Sequence, residues 1–216
     1  MVDNSVEKTK PTICHVVHMM HVGGAEILAR EFAQRYKGDF SVVFACLDAC
    51  GSLGEELRAQ GWTVEVIGRK SGFDYGCASR LARFIRQQQV DIIHAHQYGP
   101  FFYSALGRLG RHRIPILFMA HGRDFPDYPR VKRKLANRVL LDRGDGLVAV
   151  GECVRQALVA NEGLPLERIE LVYNGIELHR YDPTRTRRQA LRRQMGFTTD
   201  NIVIIQVARL NRLKDH

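Results

Sequence analysis

A histidine that directly follows a wholly apolar stretch is the position in this chain best placed for chemistry. His121 comes after IPILFMA, stands beside Gly122, and leads through Arg123 and Asp124 into the proline-broken run FPDYP. At the end of a buried strand an imidazole can donate to a ligand hydroxyl or phosphate, or support proton transfer. The competing role is a histidine that only caps its strand. His94 and His96, in HAHQYG, lie two apart and share a face if both belong to a strand. A metal pair is conceivable there, but no third ligand has the expected spacing, and polar packing at a strand end is the simpler assignment. His15, His18 and His21 recur every three residues, which alternates faces on a strand and argues against one shared ion.

Three further places carry polar or glycine residues at expected strand ends. Gly23 and Gly24 let the backbone approach a ligand closely, and the helix they open offers free amides and a positive dipole end to an anion. The pattern is not GxGxxG, and a simple tight turn explains it equally well. Arg209 and Lys214, in VARLNRLKDH, place two cations just past a strand, an arrangement that suits a diphosphate. Asn174-Gly175 reads most simply as a left-handed turn.

Positioning these residues requires alternating strands and helices, and the hydrophobic pattern supplies them. Strands are expected over 12–18, 40–47, 63–67, 91–95, 115–120, 146–150 and 169–173. Between them lie amphipathic stretches. In the first, Ala25, Leu28, Ala29, Phe32, Ala33 and Tyr36 form one helix face. Further helices are expected from Ser52 to about Gly61, through Ala78, Leu81, Ala82 and Ile85, and over 100–111, 130–143 and 152–161. Runs such as IPILFMA and GLVAV are apolar on both faces, the mark of a parallel sheet covered by helices on both sides. The expected fold is therefore α/β, a doubly wound parallel sheet with its crevice beyond the strands' C-terminal ends. After Asn174-Gly175 the character changes: 179–195 is strongly basic, with a helix expected to start at Pro183, and NIVIIQV at 201–207 reads as a fresh buried strand. The expected organisation is a polar tail at 1–11, a Rossmann-like domain at 12–180, a basic linker helix at 181–198, and the first strand and loop of a second domain at 199–216.

Composition narrows the classes. With 216 residues, 45% hydrophobic and 25% charged, the chain is globular rather than disordered or collagenous, and is longer than one typical domain. Its cysteines form no CxxC pair and are odd in number, which favours a reducing compartment over a disulfide framework. The polar start MVDNSVEKTK has no secretory h-region, so a cytoplasmic location is expected. The net charge of +9 is concentrated at Arg111 to Arg113, at Arg130, Lys132, Arg133 and Lys134, and across 185–193. A peripheral contact with anionic membrane is one use of such patches, and a solvated basic face is the other. A nucleic-acid-binding protein is an alternative, but no recognition motif is present and aromatics are not interleaved with the basic runs, so no nucleic acid is expected. A nicotinamide-dependent oxidoreductase would need the glycine fingerprint that is missing.

Taken together, VGGAE (22–26), DIIHAHQYG (91–99), AHGRD (120–124), DGLVAVGECVRQAL (145–158), VYNGIE (172–177) and VARLNRLKD (207–215) resemble the family-4-type retaining glycosyltransferases of the GT-B fold. Each motif is loose; their order and their placement at strand ends are jointly specific. The resemblance implies two Rossmann-like domains across a cleft, with a nucleotide-diphosphate sugar held mainly by the C-terminal one. The acceptor, a glycan or lipid-linked hydroxyl of cell-surface polysaccharide synthesis, is then received by the N-terminal one. His121 matches the family's active-site histidine, Arg209 and Lys214 its diphosphate-binding pair, and Gly23 and Gly24 the glycines that approach the diphosphate. His96, Arg123, Asp124 and Asn174 fall at the cleft. Transfer with retention would need neither a metal nor a cofactor, because the basic pair stabilises the leaving diphosphate. The family's paired glutamates, seven residues apart, have no counterpart here. The expectation is an acceptor half with the start of a donor half, inactive alone.

Overall fold

The computed structural model describes residues 10–108, 114–122, 127–181 and 187–208. The chain divides into two compact units, Met1–Tyr173 and Asn174–His216, so the first ends short of the expected residue 180. In the first unit the strands are β1 (Thr12–Met19), β2 (Ser41–Ala49), β3 (Thr63–Val66), β4 (Ile92–His96), β5 (Ile116–Ala120), β6 (Gly146–Ala149) and β7 (Ile169–Leu171). They form one seven-stranded sheet in the order β3-β2-β1-β4-β5-β6-β7, with every pair parallel. The order reverses direction between β1 and β4, the point at which open sheets of this kind hold their ligands.

Among the described residues six helices cover the sheet: α1 (Gly24–Tyr36), α2 (Ser52–Ala59), α3 (Tyr75–Gln87), α4 (Tyr98–Arg108), α5 (Val131–Leu140) and α6 (Glu152–Glu162). Successive strand side chains point to opposite faces, so each strand feeds two cores. Cys14, Val16, Ala45, Ile93, Phe118 and Leu147 pack with Leu81, Phe101 and Leu158 from α3, α4 and α6. Val17, Val42, Phe44 and Cys46 pack with Ala29 and Ala33 of α1 and Leu53 and Leu57 of α2. Fully burying side chains of the size of Leu or Phe contributes roughly 1.5–3 kcal/mol each. These two layers are the main source of the sheet's stability, and the apolar-on-both-faces reading of β5 and β6 holds.

Two local features lock the strand ends. Gly51, before α2, has φ +75, and a Cβ there would sit 2.4 Å from the Met20 carbonyl oxygen, so the turn that brings α2 against β1 needs glycine. At the opposite edge the buried Arg108 guanidinium forks onto Asp145 at 2.5 Å to each carboxylate oxygen. It also donates to the carbonyls of Ile114 and Leu140. Asp145 in turn accepts from the backbone N–H groups of Ile116 and Asp142. α4, α5, β5 and β6 are thereby tied through one fully partnered ion pair.

The second unit departs from expectation. Its helix, α7, covers only Arg188–Gln194, and Pro183 lies outside the described residues. The expected strand at 201–207 is not formed: Ile202, Ile204 and Val207 are 91%, 90% and 93% exposed. A strand exists only as part of a ladder, and among the described residues of this unit no other strand is present to pair with it. Asn174 and Gly175 are not in the left-handed region either, which among non-glycine described residues is occupied by Gln89 and Gln97.

Candidate functional site

The C-terminal ends of β1, β4 and β5 surround a polar cleft of about 280 Å³, lined among others by His18, Gln97, Gly99, Gly122, Arg130 and Arg133. It opens where the strand order reverses, as the fold requires. Gly99 leaves room for the His18 ring, which a Cβ there would meet at 2.5 Å and push aside. His18 Nδ1 lies 3.1 Å from Asp48 Oδ2, and Arg69 donates to both oxygens of Asp48 at 2.7 and 3.1 Å. Burial pushes the Asp48 carboxyl up, but the hydrogen bonds from Arg69 and His18 outweigh it and hold the group below its ordinary value.

Gln97 occupies the turn from β4 into α4 with φ 77, a conformation uncommon for a side-chain-bearing residue. Its N–H is held by the Met119 carbonyl at 2.9 Å, which fixes the turn against β5. On the far wall Arg133 lies over the Tyr98 ring, 4.0 Å from its centroid, and pairs with the buried Glu162 at 2.6 Å. The Tyr98 hydroxyl donates to Asn137, whose amide donates to the Glu162 carbonyl, so α4, α5 and α6 share one polar network. Burial drives the Tyr98 phenol well above its ordinary value, which leaves it a donor rather than a base.

Behind the cleft the sheet carries a cluster of imidazoles on a single face. Parallel register sets His15 beside His94, and His96 follows two residues on. His15 Nδ1 lies 2.9 Å from His96 Nε2, and His96 Nδ1 lies 2.8 Å from His121 Nε2. His94 stacks between Phe32 of α1, at 5.6 Å, and His96, at 4.2 Å. Burial is the first cause of a lowered pKa in all four rings: His94 falls to about 3, His121 to about 4, and His15 and His96 well below the usual range. The cluster is neutral at physiological pH.

The ring nitrogens of His15, His94 and His96 lie within 4.8 Å of one another. This corrects the expectation that no third imidazole joins His94 and His96. His15 was excluded as a partner of His18 and His21 on its own strand, but it reaches the pair across the ladder. The arrangement is nonetheless a stack. The His94 and His96 planes are 24° apart with centroids 4.2 Å apart. An ion about 2.0–2.1 Å from an imidazole nitrogen sits in the ring plane, and two rings stacked this way do not converge on such a point.

The expected site residues fare differently. His121 lies at the end of β5 beside Gly122, which lines the cleft. His96, expected in the cleft, is 2% exposed and stands behind His121 instead. Its strand ends one residue later than anticipated, so its side chain points into the layer under α1. Gly23 caps α1 and Gly24 begins it; both keep ordinary backbone angles. A Cβ on Gly24 would meet nothing within 4 Å, and one on Gly23 only the Glu26 side chain. The fold itself does not demand glycine at either position. Asn174 is exposed and begins the second unit, while Arg123, Asp124, Arg209 and Lys214 lie outside the described residues. Gln97 escaped the sequence reading, and His15 and His18 were weighed there only as a shared ion site and set aside. A polar residue at a strand–helix junction was a signal for Gln97, but none existed for His15.

Comparison with known proteins follows the same outline. Residues 22–180 match the profile of Glycosyltransferase Family 4. EpsF of Bacillus subtilis (strain 168), which carries a glycosyltransferase name, is 23% identical over 98% of this chain and 57% of its own length. D-inositol 3-phosphate glycosyltransferase of Mycolicibacterium smegmatis is 27% identical over 57% of this chain and 30% of its own. The chain thus spans little more than half the length of the longer match. Among solved structures, a glycosyltransferase from Rickettsia africae ESF-5 superposes with TM-score 0.70 at 22% identity, over 89% of this chain and 51% of that one. Anabaena Alr3699/HepE, crystallised with UDP, gives 0.66 at 19% identity, over 87% and 50%. These likenesses establish the Rossmann-like sheet of the GT-B fold.

Proposed function

The chain belongs to glycosyltransferase family 4, and from that premise we propose that the whole protein moves a sugar from a nucleotide-diphosphate donor to an acceptor hydroxyl with retention. The observation that carries this reading is the cleft at the β1–β4 reversal, lined by Gln97, Arg130, Arg133 and Gly122, the residue that follows His121. A polar crevice lined by Arg130, Arg133 and the Asp127 carboxylate, with a neutral imidazole close by, suits hydroxyl and phosphate ligands. The Anabaena protein's complexes with UDP and UDP-glucose support a nucleotide-sugar donor.

In this mechanism His121 meets the transferred sugar by hydrogen bonding, without changing charge, because burial keeps the ring neutral. The donor diphosphate approaches the start of α1, where the space beside Gly24 is open and the Glu26 carboxylate, which lies against Gly23, must turn aside. Arg209 and Lys214 take the leaving diphosphate as a planar fork and a point charge. No metal or cofactor is assigned a step. The acceptor, a glycan or lipid-linked hydroxyl of polysaccharide synthesis, enters beside Gln97 and Gly122. Residues 1–216 alone are expected to turn over negligibly. A panel of nucleotide sugars, with nucleoside diphosphate release read for the whole protein and for the 216-residue chain, tests both statements. Release by neither refutes the transferase, and robust turnover by the short chain refutes its inactivity.

A second reading concerns where the acceptor is met. On α5, Val131, Leu135 and Val139 are 66%, 57% and 72% exposed at successive turns, flanked by the exposed Lys132 and Arg138. Arg133, by contrast, is turned inward onto Glu162. An apolar stripe with basic shoulders suits an anionic leaflet, where each cation contributes about 1 kcal/mol. Among the described residues no helix is long and apolar enough to cross a membrane. Flotation with anionic but not neutral vesicles is the expected result, and equal partitioning removes this contact.

A further inference from the structure

His18 lines the cleft from the end of β1, and its surroundings decide which of its nitrogens a ligand meets, a consequence that rests on the transferase reading but can be tested apart from it. The β1–β2 ladder pairs Val17 with Cys46 but Met19 with Ala49, so β2 carries one extra residue opposite His18. A bulge of this kind re-aims the side chains beside it. Here Asp48 comes to lie next to His18, its Oδ2 3.1 Å from Nδ1. Arg69, just past β3, donates to both oxygens of that carboxylate at 2.7 and 3.1 Å, and its backbone N–H bonds the Leu47 carbonyl at 2.7 Å. The same guanidinium lies over Tyr103, 5.9 Å from the ring centroid, so the chain after β3 holds the pair from outside.

An ionised carboxylate has acceptor sites only, whereas a neutral imidazole has one N–H and one lone pair. Burial alone would push the Asp48 carboxyl up, but the bonds from Arg69 and His18 keep it charged. The ring nitrogen facing Asp48 is therefore the protonated one, and Nε2 carries the lone pair. That nitrogen is open to the cleft. Among the described residues the buried ring nitrogens without a partner belong to His15, His94 and His121, and His18 Nε2 is not one of them. The His18 side chain is 39% exposed, and the ring edge with Nε2 and Cε1 lies over Gly99, which lines the cleft beside it. Arg130 and Arg133 offer the cleft N–H donors, while His18 offers it a lone pair. We propose that His18 receives the hydroxyl of the acceptor substrate, its Nε2 lone pair taking the hydroxyl's hydrogen bond, with Asp48 and Arg69 as positioning residues.

A lone pair at this point selects the chemistry of its ligand. It takes an O–H and turns away phosphate and carboxylate oxygens, which have no hydrogen to give. A hydroxyl that donates to Nε2 keeps its own oxygen lone pairs free for the anomeric carbon of the donor. A site built to bond a hydroxyl also rejects an analogue that lacks it. An Asp48–Arg69 pair that served only the fold would need neither an imidazole with an open edge nor the room that Gly99 leaves for it.

Two measurements test this. A long-range proton–nitrogen NMR correlation on protein carrying nitrogen-15 histidine, without substrate and at a pH where His18 is neutral, should show its proton on Nδ1. Asp48→Ala removes the carboxylate and should spread that proton over both nitrogens. Nucleoside diphosphate release by the whole protein is then read on the nucleotide-sugar panel, with methyl glycosides or water supplying the hydroxyl. His18→Ala should lower the rate about tenfold or more while the donor KM is unchanged. Asp48→Ala keeps the imidazole but frees its tautomer, and should lower the rate by less. A merely structural His18 would change stability and leave this rate alone. The proposal is overturned if wild-type His18 carries its proton on Nε2, a reading available even if His18→Ala fails to fold. It is also overturned if folded His18→Ala keeps the wild-type rate. Absence of release by the wild type, with His18 protonated on Nδ1, would sink the transferase reading and leave the bare nitrogen in the cleft standing.

Discussion

Lowering the pH from 7.5 to 5.0 should remove most of this protein's stability, through four histidines. His15, His94, His96 and His121 are held neutral in the fold by burial, with His94 near 3 and His121 near 4. In the unfolded chain each returns to an ordinary value near 6.5 and takes up a proton as the pH falls below it. The unfolded state then binds more protons than the native state, so stability is complete above about pH 6.5 and declines toward the folded values. At pH 5.0 each neutral ring costs about 2 kcal/mol relative to pH 7.5, and four together cost about 8 kcal/mol. A whole domain has only about 5–15 kcal/mol. The carboxylates cannot account for a loss in this window. Asp74, held to about 2 by the Lys70 N–H and the Arg80 guanidinium, matters only at lower pH. Urea midpoints measured across pH 7.5 to 5.0 give the slope, and His94→Phe, which retains the stack on Phe32, should reduce it by about a quarter. A midpoint flat across this range would refute the claim that the cluster is buried and neutral.

Other outcomes follow from single contacts. Asp145→Asn removes the charge opposite the buried Arg108 and should lower stability by about 3–5 kcal/mol in a denaturant titration, since one ion is left unpaired. Gly51→Ala forces a side chain onto the Met20 carbonyl at positive φ and should cost at least about 1–3 kcal/mol. Gly24→Ala, with open space around its Cβ, should leave thermal stability unchanged or slightly raised while lowering donor turnover by the whole protein.

Much of the first unit was legible in the sequence because its periodicities are local. The seven strands and six helices fall within a few residues of their expected places, and runs such as IPILFMA declared a two-sided parallel sheet. Two kinds of information were not local. His15 and His94 become neighbours only because β1 and β4 pair across the reversal of strand order, and no spacing along the chain encodes that. Arg133 reads as one more surface cation in VKRK, yet Glu162, from a helix 29 residues on, draws it over Tyr98 and into the cleft wall. Residues 201–207 show the converse. Their composition fits a buried strand, but hydrophobicity states only a preference, and among the described residues of this unit no strand is there to pair with the segment.

The central claim is that the cleft beside His121 is where the sugar is transferred. His121→Ala in the whole protein, assayed for nucleoside diphosphate release and glycosylated product, tests it most directly. The account predicts a loss of about 10²–10³-fold in kcat, the scale of removing one well-placed donor, with an unchanged amide spectrum. Wild-type turnover by that folded variant would contradict it.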